Sequence, residues 1–166
     1  SLYAGIMIDT NNFLTKTGVR TFEAAAFLRR CGADVTRVRK MFREHVEDYR
    51  AKGEAIRNAE LFRDHFAISV CPSEGLDSPT VVGAQAANEL LNIIGVKASF
   101  VLTDYRNTIY ISARSIDEIN VQIVMERLGG GGHLNIAGAQ LEHYSIAEAR
   151  DVLKQTLQKM LDEGDI

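Results

Sequence analysis

Four consecutive glycines and a histidine, Gly129-Gly130-Gly131-Gly132-His133, decide how the rest of this sequence is interpreted. Glycine loses more backbone freedom on folding than any other residue, so a run of four in a structured chain needs a physical reason. One reason is that backbone N–H groups approach a ligand, often a phosphate, with no Cβ in the way. The other is a flexible loop, which glycine clusters also mark. His133 can donate to an anion, or satisfy a carbonyl as a buried histidine.

The composition bounds the class of protein. A chain of 166 residues fits one average domain or two small ones. Its 46% hydrophobic and 25% charged residues are ordinary for a soluble globular protein. The net charge of −3 argues against bulk attraction to nucleic acid or an anionic membrane, so any phosphate site is local. No apolar run is long enough to span a bilayer. Cys31 and Cys71 lack metal-ligand spacing and indicate buried thiols in a reducing compartment.

The first part of the sequence predicts a strand followed by helices. The apolar run over 3–9 predicts a buried strand that ends at Asp9, where the carboxylate either serves a ligand site or caps the following turn. Few candidate strands follow nearby, which indicates a piece of a larger protein. A helix is predicted from Phe22 to Arg30 with Thr21 as its N-cap, and a second helix is predicted from Val35 through a polar connector over 44–58. The basic face of the second helix is interpreted as solvated rather than phosphate-binding.

The second part predicts a small α/β domain with a mixed sheet. Strands are expected over 66–71, 98–103, 108–113 and 140–144. Ser78-Pro79 predicts a helix start, Ile116 or Asp117 begins another helix, and Ser145-Ile146-Ala147-Glu148 matches a capping box for a C-terminal helix. We expect an α/β fold in which this domain is preceded by a strand and a helical connector, with the boundary near residue 58.

Five segments carry a resemblance to a known family. They are Asp9-Thr10-Asn11-Asn12-Phe13, Arg20-Thr21-Phe22, Ser112-Ala113-Arg114-Ser115, Glu118-Ile119-Asn120-Val121 and the glycine run with Ala137 shortly after it. With them the sequence resembles the C-terminal part of DHH-family phosphoesterases, most of all the bacterial membrane-anchored cyclic-di-AMP phosphodiesterases. The resemblance implies that residues 1–58 are the end of a DHH domain with its helical linker. Residues 59–166 would be the DHH-associated, substrate-binding domain.

The resemblance also implies roles for individual residues. Asp9 matches the last metal-binding aspartate of a two-manganese centre, and a carboxylate is a suitable hard ligand for Mn²⁺. Substrate-binding positions match the following residues: Arg114, Ser115, Gly130, Gly131, Gly132 and His133. Arg114 offers bidentate donors that fit phosphate oxygens. For Ser112 and Ser115 a hydroxyl donor role competes with simply ending the strand, and the structural role is favoured.

The sequence departs from the family in one respect. The Asp-His-His motif is absent, as are the upstream metal ligands, and Asp9 alone does not hold two metals. We therefore expect this chain to be inactive as a hydrolase by itself. The resemblance implies that the intact parent protein is a manganese-dependent phosphodiesterase that converts cyclic di-AMP to the linear dinucleotide. Two alternatives stay open. One is a phosphoesterase on short oligoribonucleotides or phosphoadenosine, and the other is a non-catalytic module that binds nucleotides or nucleic acid.

Partners and location follow from the same resemblance. The expected ligand is a cyclic dinucleotide or a short oligonucleotide, and the expected protein partner is the missing N-terminal DHH domain. The chain is expected on the cytoplasmic side, without membrane contact of its own. Whether it forms a homodimer is left open by the sequence.

Overall fold

In the computed structural model, which describes residues 1–116 and 118–166, the chain forms two compact units, residues 1–44 and 45–166. The first unit contains three helices: α1 (Leu2–Asp9), α2 (Val19–Arg30) and α3 (Val35–Met41). The described residues of the second unit contain helices α4 (Val46–Arg57), α5 (Pro79–Leu90), α6 (Val121–Arg127) and α7 (Ile146–Glu163). Its strands are β1 (Glu60–Phe62), β2 (Phe66–Val70), β3 (Ala98–Tyr105), β4 (Thr108–Ser115), β5 (Gly131–His133) and β6 (Ile136–Glu142).

Helix α1 replaces the buried strand predicted over residues 3–9, so that prediction is wrong. Ser1 caps the helix, and its Oγ accepts a hydrogen bond from the Ala4 backbone N–H at 3.4 Å. A strand needs a neighbour for its backbone groups, whereas a helix pairs them internally, and residues 1–44 contain no strand. Leu2 and Ile8 are 78% and 65% exposed. Asp9 is therefore the last residue of a helix and does not end a strand.

The next two helices begin after the capping residues Gly18 and Asp34. Gly18 caps α2, and Thr21, predicted as the cap, lies inside the helix and accepts from the Gly18 N–H at 3.2 Å. Asp34 caps α3 through the Arg37 N–H at 3.1 Å. The predicted continuous helix toward residue 58 is interrupted, because α3 ends at Met41 and α4 begins at Val46. The connector helix α4 belongs to the second compact unit. The domain boundary near residue 58 stays a prediction.

The second unit is built on a mixed sheet with the strand order β1-β2-β3-β4-β6-β5. Strands β2 and β3 are parallel, and the other neighbours are antiparallel. This confirms the α/β fold with a mixed sheet. Strands β1 and β5 were not predicted, and β6 begins at Ile136, four residues before the predicted start.

Helices cover the two faces of the sheet unequally. Helices α6 and α7 pack on one face, where Phe100, Ile111 and Leu153 belong to the larger apolar core. On the other face, α4 and α5 pack over β2 and β3 through a second core that includes Ala55 and Val101. Along β4 the odd-numbered residues are buried and the even-numbered ones are half-buried, so the even-numbered side chains lie on the α5 face.

Capping residues fix the ends of α6 and α7. Asn120 accepts from the Gln122 N–H at 3.0 Å, so α6 begins at Val121, later than predicted. Asp117, one of the two predicted starts, lies outside the described residues. The capping box predicted for α7 is confirmed: Ser145 Oγ accepts from the Glu148 N–H at 3.2 Å, and the Glu148 carboxylate accepts from the Ser145 N–H at 2.8 Å. Across the described residues, every helix is too short or too polar to cross a membrane.

Candidate functional site

The outer edge of the α5 face of the sheet is uncovered. Ile136 is 48% exposed, and Gln140 and Glu142 on the same face of β6 are also exposed. Directly opposed residues of antiparallel strands project to the same face. Strand β4 therefore contributes its even-numbered side chains, and β6 and β5 contribute the residues opposed to them. We call this surface the open face.

Three rows of side chains cross the open face. The arginine row is Arg114, opposed to Ile136, which is in turn opposed to His133. The floor row is Ser112, Gly138 and Gly131, paired in the same way. The neutral row is Tyr110 and Gln140. The register therefore brings Arg114 and His133, two predicted site residues, to one face of three adjacent strands.

A groove of about 490 Å³ lies over the floor and neutral rows. It is lined by Thr80 from the first turn of α5, by Tyr110, Ile111 and Ser112 of β4, by Gly129, Gly130 and Gly131, and by Gly138, Ala139 and Gln140 of β6. Two of the predicted site residues, Gly130 and Gly131, thus meet in the groove. Arg114 and His133 do not line it. They belong to the next row, at its border.

The glycine run has local structural causes that the sequence did not reveal. Gly129, with φ +78°, follows the end of α6 in the left-handed conformation. Its N–H donates to Glu126 O at 3.0 Å, and the Gly130 N–H donates to Met125 O at 2.8 Å. These two bonds form a Schellman motif, which satisfies carbonyls left unpaired at the end of a helix. Gly129 therefore terminates α6.

Close approach of the glycine run to β6 explains two further glycines. A Cβ on Gly130 would lie 2.1 Å from Gly138 O, and a Cβ on Gly132 would lie 2.5 Å from both Ala137 Cα and Ile136 O. Gly132 also has φ +148°, which L side chains rarely adopt. Gly131 differs, because a Cβ there would meet nothing within 4 Å. Gly131 is thus the glycine of the run that neither a close neighbour nor a positive φ requires, and its missing side chain leaves the groove open.

Arg114 is a half-buried cation without a carboxylate partner in the part of the chain that the structure describes. Its Nε donates to Asn88 Oδ1 of α5 at 3.1 Å, and its Nη1 donates to Ala113 O at 2.8 Å. Burial lowers the pKa of the Arg114 guanidinium below its ordinary value, because burial removes water from around the charged form. Both acceptors are neutral. A partly buried cation of this kind is stabilised by an anion, and Nη2 takes part in neither bond.

The other predicted site residues lie in different surroundings. His133 is exposed, and its ring makes no hydrogen bond within the described residues. Ser115 lies on the opposite face from Arg114, is 6% exposed, and its Oγ donates to Leu134 O at 3.4 Å and to Asn135 Oδ1 at 3.3 Å. The structure therefore does not bring Ser115 together with the open face. The Ser115 side chain instead contacts the turn between β5 and β6.

The described residues do not form a metal centre. No group of three or more His, Cys, Asp or Glu side chains among them is placed to hold a metal ion. Asp9 is exposed at the end of α1. His65 Nδ1 lies 3.3 Å from Gly95 O, and His143 occupies the turn after β6 with φ +63°. Within residues 1–116 and 118–166, the side chains do not fit a two-manganese site.

Sequence reasoning missed three of the polar residues that line the groove: Tyr110, Thr80 and Gln140. The polar alternation along β4 could have revealed Tyr110, because Tyr110, Ser112 and Arg114 occupy every second position of one strand. Gln140 and Thr80 reach the groove through strand pairing and helix packing, which residue spacing does not encode. Lys97 lies outside the groove and is paired with Glu118 at 3.6 Å.

Comparison with known proteins gives a family match and two close relatives. The model of the DHHA1 domain matches residues 65–159. The chain is 43% identical over 154 residues to cyclic-di-AMP phosphodiesterase PdeA of Listeria monocytogenes, covering 92% of this chain and 23% of that protein. It is 42% identical over 166 residues to cyclic-di-AMP phosphodiesterase GdpP of Bacillus subtilis, covering 99% of this chain and 25% of that protein. The chain thus spans about a quarter of the length of these relatives.

A solved structure supports the fold. An exopolyphosphatase-related protein from Bacteroides fragilis superposes with a TM-score of 0.83 over 93% of this chain and 48% of that chain, at 23% sequence identity. At that identity the likeness concerns the fold alone.

Proposed function

The chain belongs to the DHHA1 domain family, and on that premise we propose that it is the nucleotide-binding part of a phosphodiesterase that hydrolyses cyclic di-AMP to the linear dinucleotide. Two relatives at 42–43% identity carry that activity in their names. The observation that carries the proposal is the position of Arg114. It is a half-buried cation with neutral protein partners, opposed through Ile136 to His133, beside a groove with a glycine floor.

In this proposal the open face binds without performing the chemistry. Arg114 donates to a phosphate oxygen through Nη2, because its other nitrogens already donate to Asn88 and Ala113. His133, on the same face, donates to a second oxygen. Gly131 lets the ligand approach the backbone of β5, since no side chain occupies that position.

We further propose that any catalytic manganese is held mainly by residues outside this chain. Asp9 would contribute one oxygen, consistent with the absence of a three-ligand cluster among the described residues. The chain alone is then inactive. Incubation of the purified chain with cyclic di-AMP and Mn²⁺ should yield no linear product, and efficient hydrolysis that Asp9→Ala abolishes would contradict this division of roles. The DHH domain as partner and the cytoplasmic location belong to the same proposal.

Calorimetry tests the binding proposal. The chain of 166 residues is titrated with cyclic di-AMP and with linear di-adenylate, with and without Mn²⁺. We expect binding that does not require the metal. Arg114→Ala should weaken it by about 1.5–3 kcal/mol, the scale of a hydrogen bond to a charged group. His133→Ala should weaken it as well.

A matched control removes the same charge elsewhere. Arg106 lies at the β3–β4 hairpin, over the Tyr105 ring at 4.9 Å, and does not line the groove. Arg106→Ala should leave the affinity unchanged. Equal losses for the Arg106 and Arg114 variants would show that net charge governs binding and that the assigned site is wrong. The melting temperature of each variant shows whether the fold is intact.

A further inference from the structure

The two ends of the groove differ in chemistry. The arginine row lies at one end and offers a guanidinium and an imidazole. The neutral row, Tyr110 and Gln140, lies at the other and has no formal charge. Tyr110 and Arg114 are four residues apart on one strand, which places their Cα atoms about 13 Å apart at a rise of 3.3 Å per residue. One nucleotide, from base edge to phosphate, fits this span.

The floor row between them suits a flat group. Gly138 and Gly131 are opposed across β6 and β5 and present no side chain to the groove. A planar base can therefore lie against the backbone there, with Ser112 as the only side chain of that row. The half-buried ring of Tyr110 adds an aromatic surface at the edge of the floor, and aromatic side chains bind bases by stacking.

Gln140 supplies the polar group that a base needs for recognition. Its amide is exposed at the groove and forms no hydrogen bond with the described residues, so both its donor and its acceptor are available to a ligand. We propose that Gln140 is the residue that distinguishes adenine from guanine in the bound dinucleotide, while Tyr110 stacks on the base. This inference rests on the proposed function.

The hydrogen-bonding pattern of the two purines gives the reason. Adenine presents a donor at N6 beside an acceptor at N7, which a glutamine amide matches with both of its groups. Guanine presents two acceptors, O6 and N7, at the same edge, and two donors are needed to match them. A glutamine in this position therefore favours adenine, whereas an arginine would favour guanine.

The test measures a ratio of affinities. Calorimetric dissociation constants for cyclic di-AMP and cyclic di-GMP are determined for the chain and for each variant named below. Gln140→Ala should reduce the preference for the adenine ligand by about fivefold or more, the lower bound for a bidentate contact with a base. Tyr110→Ala should weaken the binding of both ligands and leave the ratio of their affinities unchanged, because every base can stack on an aromatic ring. Gln140→Arg should shift the ratio toward the guanine ligand.

Glu142→Ala is the matched control, since Glu142 lies two residues farther on the same face of β6 and outside the groove. It should leave the ratio unchanged. If Gln140→Ala keeps the wild-type ratio while Arg114→Ala still weakens binding, the role of Gln140 is overturned and the proposed function stands. If the unaltered chain binds neither dinucleotide, both are overturned.

Discussion

Substituting Gly132 tests whether the glycine run is explained by the packing of β5 against β6. A Cβ on Gly132 would lie 2.5 Å from Ala137 Cα and from Ile136 O, where carbon atoms normally approach to about 3.5–4.0 Å. The strands would have to separate by about 1 Å. Overpacking of this kind costs about 1–3 kcal/mol. The φ of +148° adds strain of about 1–3 kcal/mol for any L side chain.

Together these effects predict that Gly132→Ala lowers the free energy of unfolding by about 2–6 kcal/mol. Gly131→Ala is the matched control, one residue away. Its Cβ meets nothing within 4 Å and its φ is not in the left-handed region, so we expect no loss and a gain of up to about 1 kcal/mol from the unfolded chain.

Urea denaturation followed by tyrosine fluorescence provides the assay. Four of the five tyrosines, Tyr49, Tyr105, Tyr110 and Tyr144, lie in the unit that contains the sheet, so the signal reports mainly on that unit. With a slope of about 2 kcal/mol per molar urea, the midpoint for Gly132→Ala should fall by about 1–3 M. Equal midpoints for the two alanine variants would refute the packing explanation of the run.

Two further predictions concern groups with shifted pKa values. Hydrogen bonds from Ser145 lower the pKa of Glu148 from 4.5, so its contribution to stability is present above that pH and is lost as the pH falls through the lower folded-state pKa. The melting temperatures of the wild type and of Glu148→Gln should therefore differ at neutral pH and converge in acid, and a pH-independent gap would contradict this. Burial, and secondly the charge of Glu54, raises the pKa of the Cys71 thiol to about 11. The prediction of a buried thiol is wrong for Cys31, which is exposed. A thiol reagent at neutral pH should modify Cys31 alone in the folded chain and both cysteines in denaturant, and equal rates in the folded chain would contradict the burial of Cys71.

Local signals in the sequence were sufficient for several elements. The capping box Ser145–Glu148 predicts α7, and both of its reciprocal hydrogen bonds are present. Pro79 after Ser78 marks the start of α5. In each case the residues that determine the structure are within four positions of one another, so spacing alone carries the information.

Predictions failed for elements whose structure depends on residues far away in the sequence. The apolar run over 3–9 has no periodicity that separates a strand from a helix, and in the first unit it forms a helix because residues 1–44 offer it no strand. Strand β5 consists of Gly131, Gly132 and His133, and glycine is depleted in strands, so only its pairing with β6 shows that it is one.

The same distinction between local and distant determinants applies to the candidate site. Arg114 and His133 were predicted, and strand register places them on one face. Their common row could not be derived from the sequence, because it depends on which residue of β6 lies between them. The same limit hid Gln140, whose position opposite Tyr110 follows from the β4–β6 pairing.

The central claim is that a cyclic dinucleotide binds on the open face. The most direct test is to follow the NMR resonances of the glycine amides during a titration. A ¹H–¹⁵N spectrum of this 18.4 kDa chain contains a backbone amide signal for each glycine, inside and outside the groove. Gly129, Gly130, Gly131 and Gly138 line the groove, whereas Gly53, Gly95 and Gly164 lie elsewhere in the same unit. On titration with cyclic di-AMP, the four groove glycines should shift and the other three should not. Shifts confined to Gly53, Gly95 or Gly164, with the groove glycines unchanged, would contradict the account.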